Sequence, residues 1–322
     1  IISHIGRPNG RIDSKLSMLP VCEYLSAKLK IEVKLIYKKI FDINPSLFTE
    51  NNSNKIFFLE NIRFYEQEER NDEEFARKLS SFGEIFVNDA FSCSHRKHAS
   101  VDKITKFLPS YCGIQMNAEI SALKKVTTDI KKPIACIVGG SKISTKISVI
   151  KNLIPRFENI IIVGAMANNI IKYKGFNIGN SIIENNCNNI VEEIFSLAKQ
   201  NTCEIIFPKD VAVGKKLNDK AKIKDLSNIL DDDIILDIGP ETINLINSIL
   251  DNSKTVLWNG PAGYFENSNF AIGSEEIAKK IVSLGNKIYS VAGGGDTIAV
   301  INKINAFKKL DFVSTAGGAF LE

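Results

Sequence analysis

No apolar run in this chain reaches membrane-spanning length, which excludes a helical membrane span as the basis of function. Its cysteines (Cys22, Cys93, Cys112, Cys136, Cys187 and Cys203) form no CxxC pair and no regular spacing, so they read as buried, reduced thiols of a cytosolic protein. A net charge of +4, with the lysines spread along the chain, is too small to argue for nucleic acid and fits a basic site for a small anion. Neither GxxxxGK[ST] nor GxGxxG occurs, which argues against a P-loop and against a Rossmann dehydrogenase. Low-complexity segments and short repeats are also missing.

What is present is an alternation. In the second half, the short β-branched runs 133–138, 159–163, 204–207, 233–238, 255–258, 287–292 and 311–315 are separated by helical patterns such as 188–200 and 274–285. That order predicts a parallel sheet covered on both faces. The first half repeats the plan with strands at 32–36, 55–60 and 84–89 and helices at 19–30 and 74–84. The chain's 322 residues suffice for two domains. The expected division is 1–117, a connecting helix over 118–132, and 133–322.

Ligands of open parallel sheets bind at the carboxyl ends of the strands. In the second half nearly every such end carries glycine: VGGSKIS, VGAMANN, DIGPET, WNGPAGYFE, AGGGDT and STAGGA. One glycine is turn chemistry; several together suggest backbone N–H groups around phosphate. In GGSKISTK, Lys142 and Lys146 stand four apart, predicting one face of the following helix: two solvated lysines, or two cations beside a polyphosphate. Asp296 reads as a first-turn helix acid or as a Mg²⁺ ligand. Glu266 follows the WNGPAG turn and could meet ribose hydroxyls. In the first half, SHIGRP (His4, Arg7), LENIRF (Arg63) and NDAFSCSHRKHAS (His95, Arg96, His98) are each expected to end a strand. Arginines there suit phosphate and carboxylate, and the histidines show no convincing metal spacing.

As an ordered set, SHIGRP, LENIRFY, NDAFSCSHRKHAS, IVGGSKISTKI, DIGPET, WNGPAGYFE, AGGGDT and STAGGAFLE resemble phosphoglycerate kinase across essentially the whole chain. The resemblance implies an α/β protein of two doubly wound, Rossmann-like parallel-sheet domains facing a cleft and closing on a hinge. It implies reversible phosphoryl transfer from 1,3-bisphosphoglycerate to ADP, with Mg²⁺ as cofactor, in a monomeric cytoplasmic enzyme without nucleic-acid or membrane partners. Carried over by motif, His4, Ile5, Gly6, Arg7, Arg63 and Arg96 hold the phosphoglycerate. Gly140, Lys142, Lys146, Asn259, Glu266, Gly293, Gly294, Gly295, Asp296 and Thr297 hold the nucleotide, Asp296 through the metal. Arg7, Lys142, Lys146, Gly295, Gly317 and Gly318 serve the transfer itself. The family's RxDxNxP motif and a further arginine are expected upstream of Ile1, and its tail beyond Glu322. On that expectation the chain as read binds MgADP weakly without catalysing transfer, and a catalytically incomplete remnant of the fold is the alternative. Ala165 and Ala316 stand where the family has glycine.

Overall fold

Tertiary contacts divide the chain into two units, residues 1–117 and 118–322, and the computed structural model describes residues 1–48, 55–314 and 316. Unit 1 contains α1 (Leu19–Leu29), β1 (Glu32–Ile36), β2 (Lys55–Leu59), α2 (Glu66–Glu69), α3 (Glu73–Ser80), β3 (Phe86–Asn88) and β4 (Ser110–Cys112). Pro20 sits in the first turn of α1, where its missing N–H leaves no bond unmade. Asp72 caps α3 by accepting from the Phe75 N–H at 2.7 Å. β1 pairs with β2 and β3 with β4, both in parallel. The apolar face of α3 (Phe75, Ala76, Leu79) packs with Ile36, Leu59 and Ile104.

SHIGRP does not end a strand. The Leu59 N–H donates to the Ile1 carbonyl at 2.9 Å and the Ile62 N–H to the Ser3 carbonyl at 3.1 Å, so the segment runs beside β2 without a regular ladder. β4 is invisible in the sequence because its three residues are all exposed and carry no apolar alternation.

The helix expected over 118–132 is α4 (Ile114–Thr127), which starts earlier. Unit 2 continues with β5 (Ile134–Val138), α5 (Ile147–Leu153), β6 (Asn159–Ile162), α6 (Ala167–Tyr173), α7 (Asn188–Gln200), β7 (Glu204–Ile206) and β8 (Asp210–Gly214). Then come β9 (Lys222–Asp225), β10 (Ile234–Ile238), α8 (Pro240–Asn252), β11 (Thr255–Asn259), α9 (Ile272–Leu284), β12 (Tyr289–Gly293), α10 (Gly295–Lys303) and β13 (Phe312–Ser314). Six strands form one parallel sheet in the order β13-β12-β11-β5-β6-β7. Every residue of β5 and β11 is buried, as expected where helices cover both faces. The strand order reverses between β5 and β11, and a crevice for ligands opens outside their carboxyl ends.

One expected strand belongs elsewhere. The run at 233–238 becomes β10, which joins β8 and β9 in a separate antiparallel sheet, order β10-β8-β9. An apolar run fixes that a strand is buried but not which edge it pairs with. At the start of β8, the buried Asp210 carboxylate accepts from the N–H groups of Glu241 (2.9 Å) and Thr242 (2.8 Å), capping α8 from another element. Cys22, Cys136, Cys187 and Cys203 are buried, but Cys112 is exposed and Cys93 partly so, correcting the expectation for those two. No helix among the described residues is long and apolar enough to cross a membrane.

Candidate functional site

In unit 2 the reversal point is built from glycine. The Gly139 N–H donates to the Asn259 carbonyl at 2.9 Å, drawing the turns after β5 and β11 together. A Cβ on Gly139 would stand 2.2 Å from the Pro261 carbonyl oxygen, and one on Gly260 2.3 Å from the Gly139 oxygen, so a side chain at either position would force the turns apart. Thr297 and Ser274, both buried, hold this wall by accepting from the N–H groups of Gly260 (2.7 Å) and Ala262 (2.8 Å). Gly294, with φ of 97°, turns the chain from β12 into α10. The result is a cavity of about 240 Å³ lined by Gly140, Lys142, Lys146, Asn259, Gly294, Gly295, Asp296 and Thr297.

Lys142 and Lys146 line this cavity but do not share a helix face. Residues 141–146 form a turn, and α5 begins only at Ile147. Ile143 is buried, and the Glu184 carboxylate accepts from the Ser144 N–H (3.0 Å) and hydroxyl, pinning the turn from a distant loop. Lys146 Nζ donates to Asn259 Oδ1 at 2.7 Å. The other Asn259 amide atom, Nδ2, is buried without a hydrogen-bond partner among the described residues. A buried donor left unpaired is costly, and an anionic oxygen in the cavity would satisfy it.

A second cavity of about 560 Å³ adjoins, and its largely apolar wall includes Ala165, Val211, Leu236 and Tyr264. Asn168, Asp237 and Glu266 supply polar groups, and Gly140 and Asp296 border both cavities. Asp296 is exposed in the first turn of α10, as the first-turn-acid alternative expects, and its carboxylate makes no hydrogen bond among the described residues, which leaves it available to a metal as well. The Asp237 carboxylate, 3% exposed, accepts from the Ile238 N–H (2.9 Å) and the Gly273 N–H (2.8 Å). Burial pushes its pKa up to about 7.

Not every expected residue reaches a cavity. Gly293 is buried as the last residue of β12 and borders neither, and the Thr297 hydroxyl is engaged by Gly260. Gly317 and Gly318 lie outside the described residues.

Unit 1 gathers cations. Arg63 is 4% exposed, and its Nη1 donates to the Gly6 carbonyl at 2.9 Å. Its Nε lies 3.8 Å from Glu69 Oε1, while Nε and Nη2 make no hydrogen bond among the described residues. Asn61, which sequence reasoning passed over within LENIRF, fixes this geometry. Its buried amide donates to the carbonyls of Ile5 (2.8 Å) and Leu16 (2.9 Å) and its Oδ1 accepts from the Arg63 N–H (3.1 Å). His4 is held down to about 4, first by burial and then by Arg63, Arg96 and His98. Burial and then Arg96 likewise lower Arg63. Arg63 and Arg96 therefore set up one field of positive potential around His4 and His98, whose imidazoles it holds toward the neutral form, and His98 is an addition to the expected set. Arg7 is exposed. Such a cluster attracts phosphate and carboxylate.

An α/β protein with a glycine-built crevice at its strand-order reversal and a separate basic cluster belongs to the class of phosphotransferases acting on small anions. The family model for phosphoglycerate kinase matches residues 1–322. Phosphoglycerate kinases of Wolbachia pipientis (strain wPip) and Francisella philomiragia are similar at 43% and 41% identity, over 100% of this chain and 82% and 81% of theirs. The solved phosphoglycerate kinase of Coxiella burnetii superposes with a TM-score of 0.88 at 34% identity, covering 100% of this chain and 81% of that one. That of Pyrococcus horikoshii OT3 gives 0.80 at 28% identity, over 97% and 80%. The chain belongs to the phosphoglycerate kinase family, and its reaction is the glycolytic, reversible transfer of a phosphoryl group between 1,3-bisphosphoglycerate and ADP.

Proposed function

We propose that unit 1 holds the phosphoglycerate and unit 2 the nucleotide, and that the residues described above carry the reaction. The observation that carries this reading is the Lys146–Asn259 pair at the strand-order reversal, where the buried Asn259 Nδ2 has no hydrogen-bond partner among the described residues beside two glycine turns. The 240 Å³ cavity suits nucleotide phosphates, and the larger apolar one the base, with Glu266 toward the ribose. His4, Arg63 and Arg96 serve the phosphoglycerate, with Ile5 and Gly6 supplying backbone carbonyls that place Arg63 and Asn61.

The donor set fits Mg²⁺. No cluster of three or more His, Cys, Asp or Glu exists among the described residues, and Asp296 stands alone at the phosphate end. Mg²⁺ commonly takes one or two carboxylates and completes its shell with waters and substrate phosphates. Bound there, it would neutralise phosphate charge. The protein's own part is positioning and charge: Lys142 and Lys146, with Arg7 on the other substrate, offset the negative charge spread over the transferring group. Gly317 and Gly318 keep the same proposed role.

The test is calorimetric titration of MgADP and a coupled assay of phosphoryl transfer from ATP to 3-phosphoglycerate, on the full-length protein and on its Asp296→Ala variant. Loss of the metal-positioning carboxylate is expected to weaken MgADP and slow turnover by on the order of 10²-fold. Unchanged turnover at saturating Mg²⁺ would remove Asp296 from the site.

A further inference from the structure

Glu68 lies in α2 beneath the segment that carries Arg96 and His98, and it is only 2% exposed. Its Oε2 accepts from the Ser100 N–H at 2.9 Å and its Oε1 from the Ser100 hydroxyl at 2.6 Å. Its backbone carbonyl accepts from the Ala99 N–H at 2.9 Å. Three bonds therefore tie residues 99–100 to α2. The same Oε1 lies 3.6 Å from His98 Nδ1. A carboxylate is expensive to bury, and hydrogen bonds to one serine do not by themselves call for a charge. Burial pushes the Glu68 carboxyl up, while the Ser100 bonds and the Arg63 charge pull it back toward the carboxylate, and the His98 imidazole lies alongside it.

We infer that Glu68 is a positioning residue of the unit 1 anion site, acting through His98; this rests on the proposed phosphoglycerate role of that site. Burial disfavours the imidazolium form of His98, and Arg63, Arg96 and His95 disfavour it further, while Glu69 opposes them. His4 also faces the cluster. Glu68 supplies the adjoining negative charge at the far side of the ring. With Nδ1 turned toward that charge, Nε2 carries a proton to donate only in the imidazolium form, which Glu68 and an incoming phosphate or carboxylate oxygen together favour over the neutral ring.

Glu68→Gln isolates the charge. The amide oxygen can accept from the Ser100 N–H while the amide nitrogen donates to the Ser100 oxygen, so the tether survives. The expected result is a rise of about tenfold in KM for 3-phosphoglycerate, with kcat and the KM for ATP within about twofold of the parent. His98→Gln should raise the same KM, and adding Glu68→Gln to it should do nothing more. Additive effects, or no change of KM in Glu68→Gln while Arg63→Lys raises it, overturn the inference. If Arg63→Lys also leaves that KM unchanged, the site reading itself falls and takes the inference with it. Should Glu68→Gln fail to fold, Ser100→Ala replaces it. That variant slackens the tether and must raise the KM in the parent but not in the His98→Gln background; any other result overturns the inference.

Discussion

The two proposed sites would recognise anions by opposite means. In unit 1 the proposed recognising groups are side-chain cations, and Arg63 is buried with two guanidinium nitrogens that make no hydrogen bond among the described residues. In unit 2 the wall is largely backbone: Gly139 and Gly260 touch where no Cβ could fit, and Asn259, a buried side chain lining the smaller cavity, is neutral. A charge-based site should tolerate small shifts and fail when a fork of donors is lost. A backbone-based site should fail when a methyl group intrudes.

The largest effect is therefore expected from Gly260→Ala. Its Cβ would meet the oxygen and carbon of Gly139 at 2.3 and 2.4 Å, and the residue has φ of 106°. Neither turn can retreat without breaking the sheet ends, so destabilisation of about 4 kcal/mol or more, with loss of MgADP binding, is expected. Urea denaturation and calorimetry check it. A stable variant with parental affinity would show that the turns are not in fixed contact.

How much of this contrast was legible in the sequence depends on the range of the interaction. The strands at 134–138 and 255–259 and the helix at 188–200 follow local pattern and were readable. So was the glycine content of the strand ends. The four-residue spacing of Lys142 and Lys146 suggested a helix, but Glu184 and the burial of Ile143 impose a turn, and neither constraint is local. Asn61 and Glu68 look like surface polar residues in one dimension. Only the packing of 1–6 against 61–63, and of 99–100 against α2, turns them inward. The antiparallel pairing of β10 is hidden for the same reason.

Next in size is Arg63→Lys, which keeps the charge and removes the fork. The contact with the Gly6 carbonyl and the open Nη2 cannot both be served by one ammonium. KM for 3-phosphoglycerate is expected to rise by the equivalent of roughly 1.5–3 kcal/mol, with the KM for ATP unchanged. Equal rises for both substrates in steady-state kinetics would erase the division between the units.

Asp237 is a buried carboxyl that borders the larger cavity of unit 2. Its pKa is about 7 in the folded chain against an ordinary 3.8, so the native state binds the proton more tightly than the unfolded one. Its contribution to stability is fully present below pH 3.8 and is lost as pH rises through about 7. Glu275 on α9 adds to the shift. Between pH 5.5 and 8.5 the parent should lose about 2 kcal/mol relative to Asp237→Asn. A stability difference that stays constant over that range in urea would show a carboxyl that does not titrate there.

The smallest stability effect is expected one residue from one of the tightest contacts, and it sharpens the comparison most. Gly139 and Gly140 are adjacent, but a Cβ on Gly140 meets nothing within 4 Å. Its only local penalty is backbone conformation, with φ of 134°. Gly140→Ala should therefore lower stability by about 1–2 kcal/mol, far less than a substitution at Gly139 or Gly260. The open space around it is the pair of cavities that Gly140 borders. A methyl group placed there stands where base and phosphate are proposed to meet, so MgADP affinity should fall by on the order of tenfold while KM for 3-phosphoglycerate holds. Denaturation and calorimetry on the same variant separate the two quantities. A fall in stability as large as that of Gly260→Ala, or an unchanged affinity, would mean that the open side of Gly140 does not face the nucleotide.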